Sequence, residues 1–279
     1  MKKVLAGIFT AVILFITALP TYAADLQIKV DGVTISSDVK PEVKNNRTMV
    51  PLRVISENLG ARVNWSDSKI VLTKSKVKLI LQLNSNTAVK NGETVLLDAK
   101  PYLKNHRTMV TLRFIAEVFG CRVSHSNSAV TIETKPLVID GVKVKTLQEE
   151  VHMTMGGIVN HVNGNAYNEA IYHVFVENKG KKVEEPSNYS WVLNYLATGD
   201  YYKAGQYDFL DQKGNSIKRF DIYTKVQTFD EDQDPEALIY EANVNQWYMF
   251  NYKATLEILQ LIDKASQNGF LTEISNNVP

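Results

Sequence analysis

The chain has 279 residues, 44% hydrophobic and 22% charged, the balance of a globular protein with room for two ordinary cores rather than of a disordered one. Its 31 basic and 30 acidic side chains nearly cancel, which excludes nucleic-acid binding driven by a concentrated basic surface. A lone cysteine, Cys121, excludes an intramolecular disulfide.

Residues 1–23 read as a secretory leader. Lys2 and Lys3 form a basic start, Val4 to Leu19 is almost entirely apolar, and Thr21-Tyr22-Ala23 supplies the small residues of a cleavage site after Ala23. The apolar run is short of a membrane span, so no membrane attachment is expected after its removal. Without the leader, 29 basic side chains face 30 acidic ones.

The next stretch occurs twice. Pro41 to Thr73 and Pro101 to Glu133, laid over each other at an offset of 60, agree at 16 positions. Arg47-Thr48-Met49-Val50 matches Arg107-Thr108-Met109-Val110, and Leu52-Arg53, Glu57 and Gly60 match Leu112-Arg113, Glu117 and Gly120. A repeat this regular defines the folding unit. Each copy reads as hairpin, helix, hairpin. Asp31-Gly32 and Asn91-Gly92 are hairpin turns, Leu52, Ile55 and Leu59 fall on one helical face, and Gly60 and Gly120 stop the helices. So short a helix is unstable alone, and its apolar face is expected to lie on the curved sheet of its own copy. Arg53 and Glu57 are spaced i, i+4, and Arg47 is within reach of the adjacent turn carbonyls. These charges are expected to serve packing and not a ligand. Cys121 follows the second helix stop and reads as a small core residue.

The signature from Asn45 to Trp65, Asn-x-Arg-Thr-Met-Val-Pro-Leu-Arg-x-Ile-x-Glu-x-Leu-Gly-Ala-x-Val-x-Trp, resembles the copper amine oxidase N-terminal domain, a stalk module of exported proteins in Gram-positive bacteria. Asn105 to Val123 fits it with substitutions, and the resemblance covers residues 25–135 as two copies. It implies an accessory sheet-on-helix module, because copper and quinone sit in another domain of those oxidases. Thr111 in place of the helix-opening proline, and Ser66 and His125 near the motif's end, depart from the pattern. The family's quinone motif needs threonine three places before an Asn-Tyr pair. Here Glu185, Trp191 and Tyr248 occupy those places, and the five histidines form no His-x-His pair, so no amine oxidase chemistry and no cofactor are expected.

After Pro136 the pattern changes. Helices are expected over residues 146–156, 166–177 and 253–267, and strands over 190–196, 207–211, 217–227 and 238–250, with a turn at Gln212-Lys213-Gly214-Asn215. The fold class is therefore α+β: two tandem antiparallel-sheet-plus-helix (ββαββ) stalk repeats followed by a separate α+β domain, residues 136–279, with an antiparallel sheet. Two helices leading into a curved sheet would resemble the nuclear transport factor 2 class.

This half shows no catalytic signature. His152, His161 and His173 lack metal-ligand spacing on one helix. Asp230, Asp232, Asp234 and Glu241 imitate a calcium loop, but Pro235 stands where that loop needs glycine, which favours a solvated acidic turn. The half holds 11 of the 13 tyrosines, with Trp191 and Trp247, as sheet core or as a stacking surface. The expected protein is secreted or cell-wall associated and non-catalytic, a stalk presenting a binding domain for cell-wall polysaccharide or an extracellular protein. An extracellular protease inhibitor blocking with Ala197-Thr198-Gly199-Asp200, or a small hydrolase, are the alternatives. No site residue is singled out.

Overall fold

The computed structural model describes residues 26–66, 69–74, 76–126, 129–153, 155–227 and 234–278. The expected leader lies outside them. The described chain is α+β, with mostly antiparallel sheets and four α-helices.

The first copy runs β1 (Gln27–Val30), β2 (Val33–Thr34), β3 (Glu42–Lys44), β4 (Arg47–Pro51), α1 (Leu52–Asn58), β5 (Arg62–Ser66) and β6 (Lys69–Lys74). A linking strand, β7 (Val77–Gln82), precedes the second copy: β8 (Thr87–Lys90), β9 (Glu93–Leu96), β10 (Tyr102–Lys104), β11 (Arg107–Thr111), α2 (Leu112–Val118), β12 (Arg122–Ser126) and β13 (Ala129–Glu133). Gly60 and Gly120 follow the helices at φ +82° and +72°, the left-handed stops their position requires.

The copies do not stack as two self-contained units. Strand β4 pairs with β11 in antiparallel register, Val50 opposite Val110, so that equivalent residues meet each other about a local two-fold axis. The four-stranded sheet β10-β11-β4-β3 is therefore shared. Hairpin β1–β2 leaves its own copy and lies parallel to β13, giving the order β12-β13-β1-β2, while β5-β6-β7-β8-β9 joins the remaining strands. Helix α1 packs on β11 as well as β5, and α2 on β4 as well as β12. The expectation of a helix resting on its own sheet is thus corrected. One 7-residue helix covers too little apolar area by itself, and Leu52, Ile55, Leu112 and Ile115 reach full burial only in a common core.

The ion pairs follow the same exchange. Arg47 reaches Asp98 at 3.0 Å and its own turn carbonyl, Asn45 O, at 3.1 Å, and Arg107 reaches Asp38 at 2.6 Å. Because Arg47 and Arg107 are equivalent, as are Asp38 and Asp98, each arginine is matched by the other copy. Glu57 does not turn to Arg53. It meets Lys264 of the C-terminal half at 3.0 Å.

A small hairpin, β14 (Val138–Ile139) and β15 (Val142–Lys143), leads into β16 (Thr146–Met153), β17 (Gly156–Val162), α3 (Asn165–Glu177) and β18 (Lys179–Val183). Then come β19 (Tyr189–Ser190), β20 (Tyr201–Leu210), β21 (Ser216–Lys225), β22 (Ala237–Glu241), β23 (Gln246–Phe250), α4 (Tyr252–Gln267) and β24 (Leu271–Asn276). They form one sheet in the order β18-β23-β22-β21-β20-β16-β17-β24, with β19 added parallel to β20. The helix expected over 146–156 is instead strand β16, and the half opens on a hairpin, which removes the nuclear transport factor 2 order of elements. Leu147 lies between Val162 on one neighbouring strand and Phe209 on the other and is fully buried, which a helical reading of that segment could not show. The strand expected over 238–250 is broken by a 3-10 turn, Ala242–Val244, closed by Asn245 at φ +49°. That over 190–196 is mostly a 3-10 turn, Leu193–Tyr195.

Helices α3 and α4 cover one face of this sheet, where Phe175 stacks on Phe220 at 4.7 Å and Tyr172 meets Phe209 edge-on at 5.4 Å. Their other side meets the repeated portion. A Cβ added to Gly60 would stand 3.1 Å from the Ala166 Cβ, Lys74 and Glu169 lie 3.6 Å apart, and a single apolar cluster runs from Val30 and Leu59 to Ile258 and Phe270. Asp31 ties the seam. Its carboxylate accepts from Thr134 N at 2.8 Å, Thr134 Oγ1 at 2.6 Å and Asn165 N, the first residue of α3, at 3.0 Å.

Two outcomes follow. Val110→Asp places an unpaired charge at the buried shared pairing and is expected to cost more than about 3 kcal/mol in chemical unfolding, against less than about 1 kcal/mol for Arg47→Ala, whose ion pair is half-exposed. Asp31→Ala is expected to lose about 2–3 kcal/mol, with Asp31→Asn losing less, because three donors are left at the seam without a charged acceptor.

Candidate functional site

Opposite its helical face, the large sheet carries a second surface. Alternation along β20 to β23 sends Lys203, Gln206, Arg219, Asp221, Tyr223, Leu238, Tyr240 and Trp247 to this side. A register shift between Lys203 and Gly205 is what lets both Lys203 and Gln206, three residues apart, point the same way, a use of a bulge common beside sites. Residues 184–200 arch across this surface. Between arch and sheet lies a groove of about 610 Å³, floored by Lys203, Arg219, Asp221 and Tyr223, with Trp191 and His152 at one side and Tyr189, Tyr240 and Trp247 at another.

The floor is a fixed ionic cluster. Asp221 is buried and accepts from Arg219 Nε at 2.9 Å, Arg219 Nη2 at 2.8 Å and Lys203 Nζ at 2.8 Å. Lys203 also donates to Gln206 Oε1 at 3.0 Å and lies 4.5 Å from the centre of the Trp191 ring. Burial pushes the Lys203 ammonium below its ordinary pKa, opposed by its hydrogen bond to Asp221 and by that charge. The hydrogen bonds to Asp221 hold Arg219 above its usual range. Around it, Gln206 donates to Asp208 at 2.9 Å and to Glu150 at 3.3 Å, and Glu150 meets His152 at 2.7 Å. His152 stacks on Trp191 at 4.4 Å. At the other side Tyr189, Tyr223 and Tyr240 surround Trp247 at 4.7–5.2 Å between ring centres. The hydrogen bond to Glu185 pushes the Tyr189 phenol up to about 12, and burial raises Tyr223, so both hydroxyls stay neutral at ordinary pH.

The arch is braced at its base. Asp200 Oδ2 accepts from Asn188 Nδ2 at 2.7 Å and from Ala197 N at 2.8 Å, Tyr201 N donates to Asn188 O at 3.1 Å, and Gly199 N donates to Val226 O at 2.9 Å. Ala197 to Asp200, expected as the blocking loop, is the brace. What projects is the 3-10 turn above it, with Leu193 50% and Tyr195 78% exposed.

The other sequence candidates are dispersed. His161 contacts Gln148 at 3.2 Å and His173 lies near Glu177 at 3.5 Å. Among the described residues no group of three or more His, Cys, Asp or Glu is placed to hold a metal. Of the calcium-loop imitation, Asp230 and Asp232 lie outside the described residues. Asp234 lies 4.0 Å from Lys253, and Glu241 is buried between Lys179, at 2.7 Å, and Lys218. Burial pushes the Cys121 thiol up to about 11, which leaves it little thiolate. A cavity of about 120 Å³ between the copies is lined by Arg47, Asp98, Thr111, Arg113 and His125. These groups partner one another: Thr111 Oγ1 donates to Asp98 at 2.8 Å, and Arg113 meets His125 at 3.3 Å. Reading the sequence missed the ionic floor, since Lys203, Arg219 and Asp221 meet only through strand register. Its one local signal was the aromatic density of this half.

No solved structure matches the chain. A curated protein from Brevibacillus choshinensis named "Protease inhibitor" is 24% identical over 172 residues, 59% of this chain and 53% of its own length, so the chain spans about half of that relative. A match to 59% of 279 residues is longer than the stretch preceding Pro136, so the similarity continues into the C-terminal half. The family model for the copper amine oxidase N-terminal domain matches residues 29–134 in one stretch running through both copies. Over residues 29–134 the interlocked front portion of this chain is copper amine oxidase N-terminal-like.

Proposed function

We propose that this is an exported, non-catalytic protein whose front portion serves as a rigid mount and whose C-terminal sheet binds an extracellular protease through the tip of the arch. The observation that carries the reading is the brace. Asp200 holds both ends of the arch and leaves Leu193 and Tyr195 in water, a geometry that presents apolar anchors already ordered. The name of the Brevibacillus relative, which overlaps this half, supports the partner class.

The chemistry of the surroundings favours binding over hydrolysis. The Ser190 hydroxyl accepts from Val192 N at 3.0 Å and His152 is engaged by Glu150, with no hydrogen bond between the serine and the histidine. Asp221 is already taken by two cations. A nucleophile needs a base within reach, and a general acid needs an unpaired proton.

The test is inhibition of secreted serine proteases by the exported chain. The Leu193→Asp, Tyr195→Ser double variant is expected to raise the inhibition constant by at least about tenfold with unchanged melting, and Asp200→Ala to raise it less by loosening the arch. Equal inhibition by the double variant and the unaltered chain would remove the arch from the interface.

A further inference from the structure

We propose that the groove beneath the arch is a saccharide site taking uncharged pyranose units of a polysaccharide. It is separate from the arch tip and does not rest on the protease reading.

The floor of the groove decides what kind of polymer can lie there. Strands β20 to β22 are flanked on both sides, and β23 lies between β22 and β18, so most of their backbone N–H and C=O groups are used in ladders, the stretch Lys203 to Gly205 on the β16 side of β20 excepted. A peptide laid across them finds no more than those three residues of edge to extend, and most of its own amides go unmatched. A sugar needs only side-chain partners for its hydroxyls. Arg219 lines the groove and spends Nε and one Nη2 hydrogen on Asp221, which leaves three of its five N–H donors for a ligand. Because Asp221 fixes that guanidinium, little ordering is left for a ligand to impose. Asn245, whose Oδ1 accepts from Tyr240 at 2.8 Å, keeps its amide N–H groups for the ligand at the rim. Tyr189 and Tyr240, tilted about Trp247, supply apolar ring faces beside these donors, the pairing of stacking and hydrogen bonding that a pyranose offers in return.

Charge then selects among sugars. The lining Lys203 and Arg219 are balanced by Asp221 and Glu185. A uronate or phosphate gains no net attraction from this sum and must still be desolvated, whereas a neutral ring is charged no such penalty. The volume of about 610 Å³ lies within the range of pockets that enclose small ligands.

Two of the three tryptophans, Trp191 and Trp247, line the groove, and the third, Trp65, lies in the front portion. A Trp65→Phe chain therefore reports on the groove by its emission. It would be titrated with soluble tetramers of N-acetylglucosamine, β-1,4-glucose and β-1,4-xylose, with polygalacturonate as the charged counterpart. At least one neutral tetramer is expected to give a saturable change at up to millimolar concentration, with none from polygalacturonate. Tyr240→Ala and Asn245→Asp, both at the rim, are expected to weaken that binding by about tenfold or more while protease inhibition stays as in the parent chain, the aspartate keeping the φ +49° turn and the acceptor for Tyr240 and losing only the amide donors. Silence with all three tetramers, preference for polygalacturonate, or equal binding in both variants would overturn the proposal. Loss of protease inhibition by the arch variants would leave it standing, since the two sites are read by different assays.

Discussion

One carboxylate holds the two halves of this protein in register. Asp31 occupies a hairpin turn at φ +49°, a backbone state that an aspartate tolerates better than most side chains. That turn aims the carboxylate away from its own strands and at the end of β13 and the start of α3. Because α3 begins there, its Asn165 N–H, one of the donors that every helix leaves unpaired, is satisfied by an acid from the far end of the repeated portion. The same turn position in the second copy carries Asn91, which spends its side chain on Lys78 N at 2.7 Å, inside the front portion. Near-identical turns have thus been put to different uses, one outward and one inward.

That difference shows where sequence reading reached and where it stopped. The glycine stops, α3 and α4 were legible because they depend on local chemistry: Gly60 at positive φ, and apolar residues at helical spacing in α4, of which Ile258 and Ile262 are buried while Leu256 and Leu259, read as part of the same apolar face, stay exposed. Which strand pairs with which was not. Val50 meets Val110 and β1 meets β13 across long separations, and a ββαββ pattern is equally compatible with closure inside a copy or across two. Residues 146–153 were misread because both faces of the strand are largely covered, with Thr146, Leu147 and Glu149 buried and only Met153 exposed, and such a strand lacks the strict alternation of a half-exposed one. The groove was out of reach for the same reason. Lys203, Arg219 and Asp221 are unremarkable in sequence and become neighbours through a bulge and a strand register.

The groove and the arch illustrate two ways of making a surface rigid. The groove is stiffened from below, by an ion pair between groups that cannot leave a well-paired sheet. Breaking one partner there would strand a buried charge, so these residues are held by stability as much as by any ligand. The arch is stiffened at its base by a half-buried aspartate and a handful of backbone hydrogen bonds, and its tip is free to vary without disturbing the core. A surface built this way can change its outer specificity quickly and its inner one slowly.

The exchange of strands also orders the assembly of the molecule in time. Strand β1 finds its neighbour β13 only after about a hundred intervening residues, and Asp31 waits for Asn165, 134 positions further on. Contacts of such separation are made late, because long loops must close before they are rewarded. A chain emerging from its N-terminus leaves β1 without its partner until β13 has appeared, and leaves Asp31 short of one of its three donors until α3 follows.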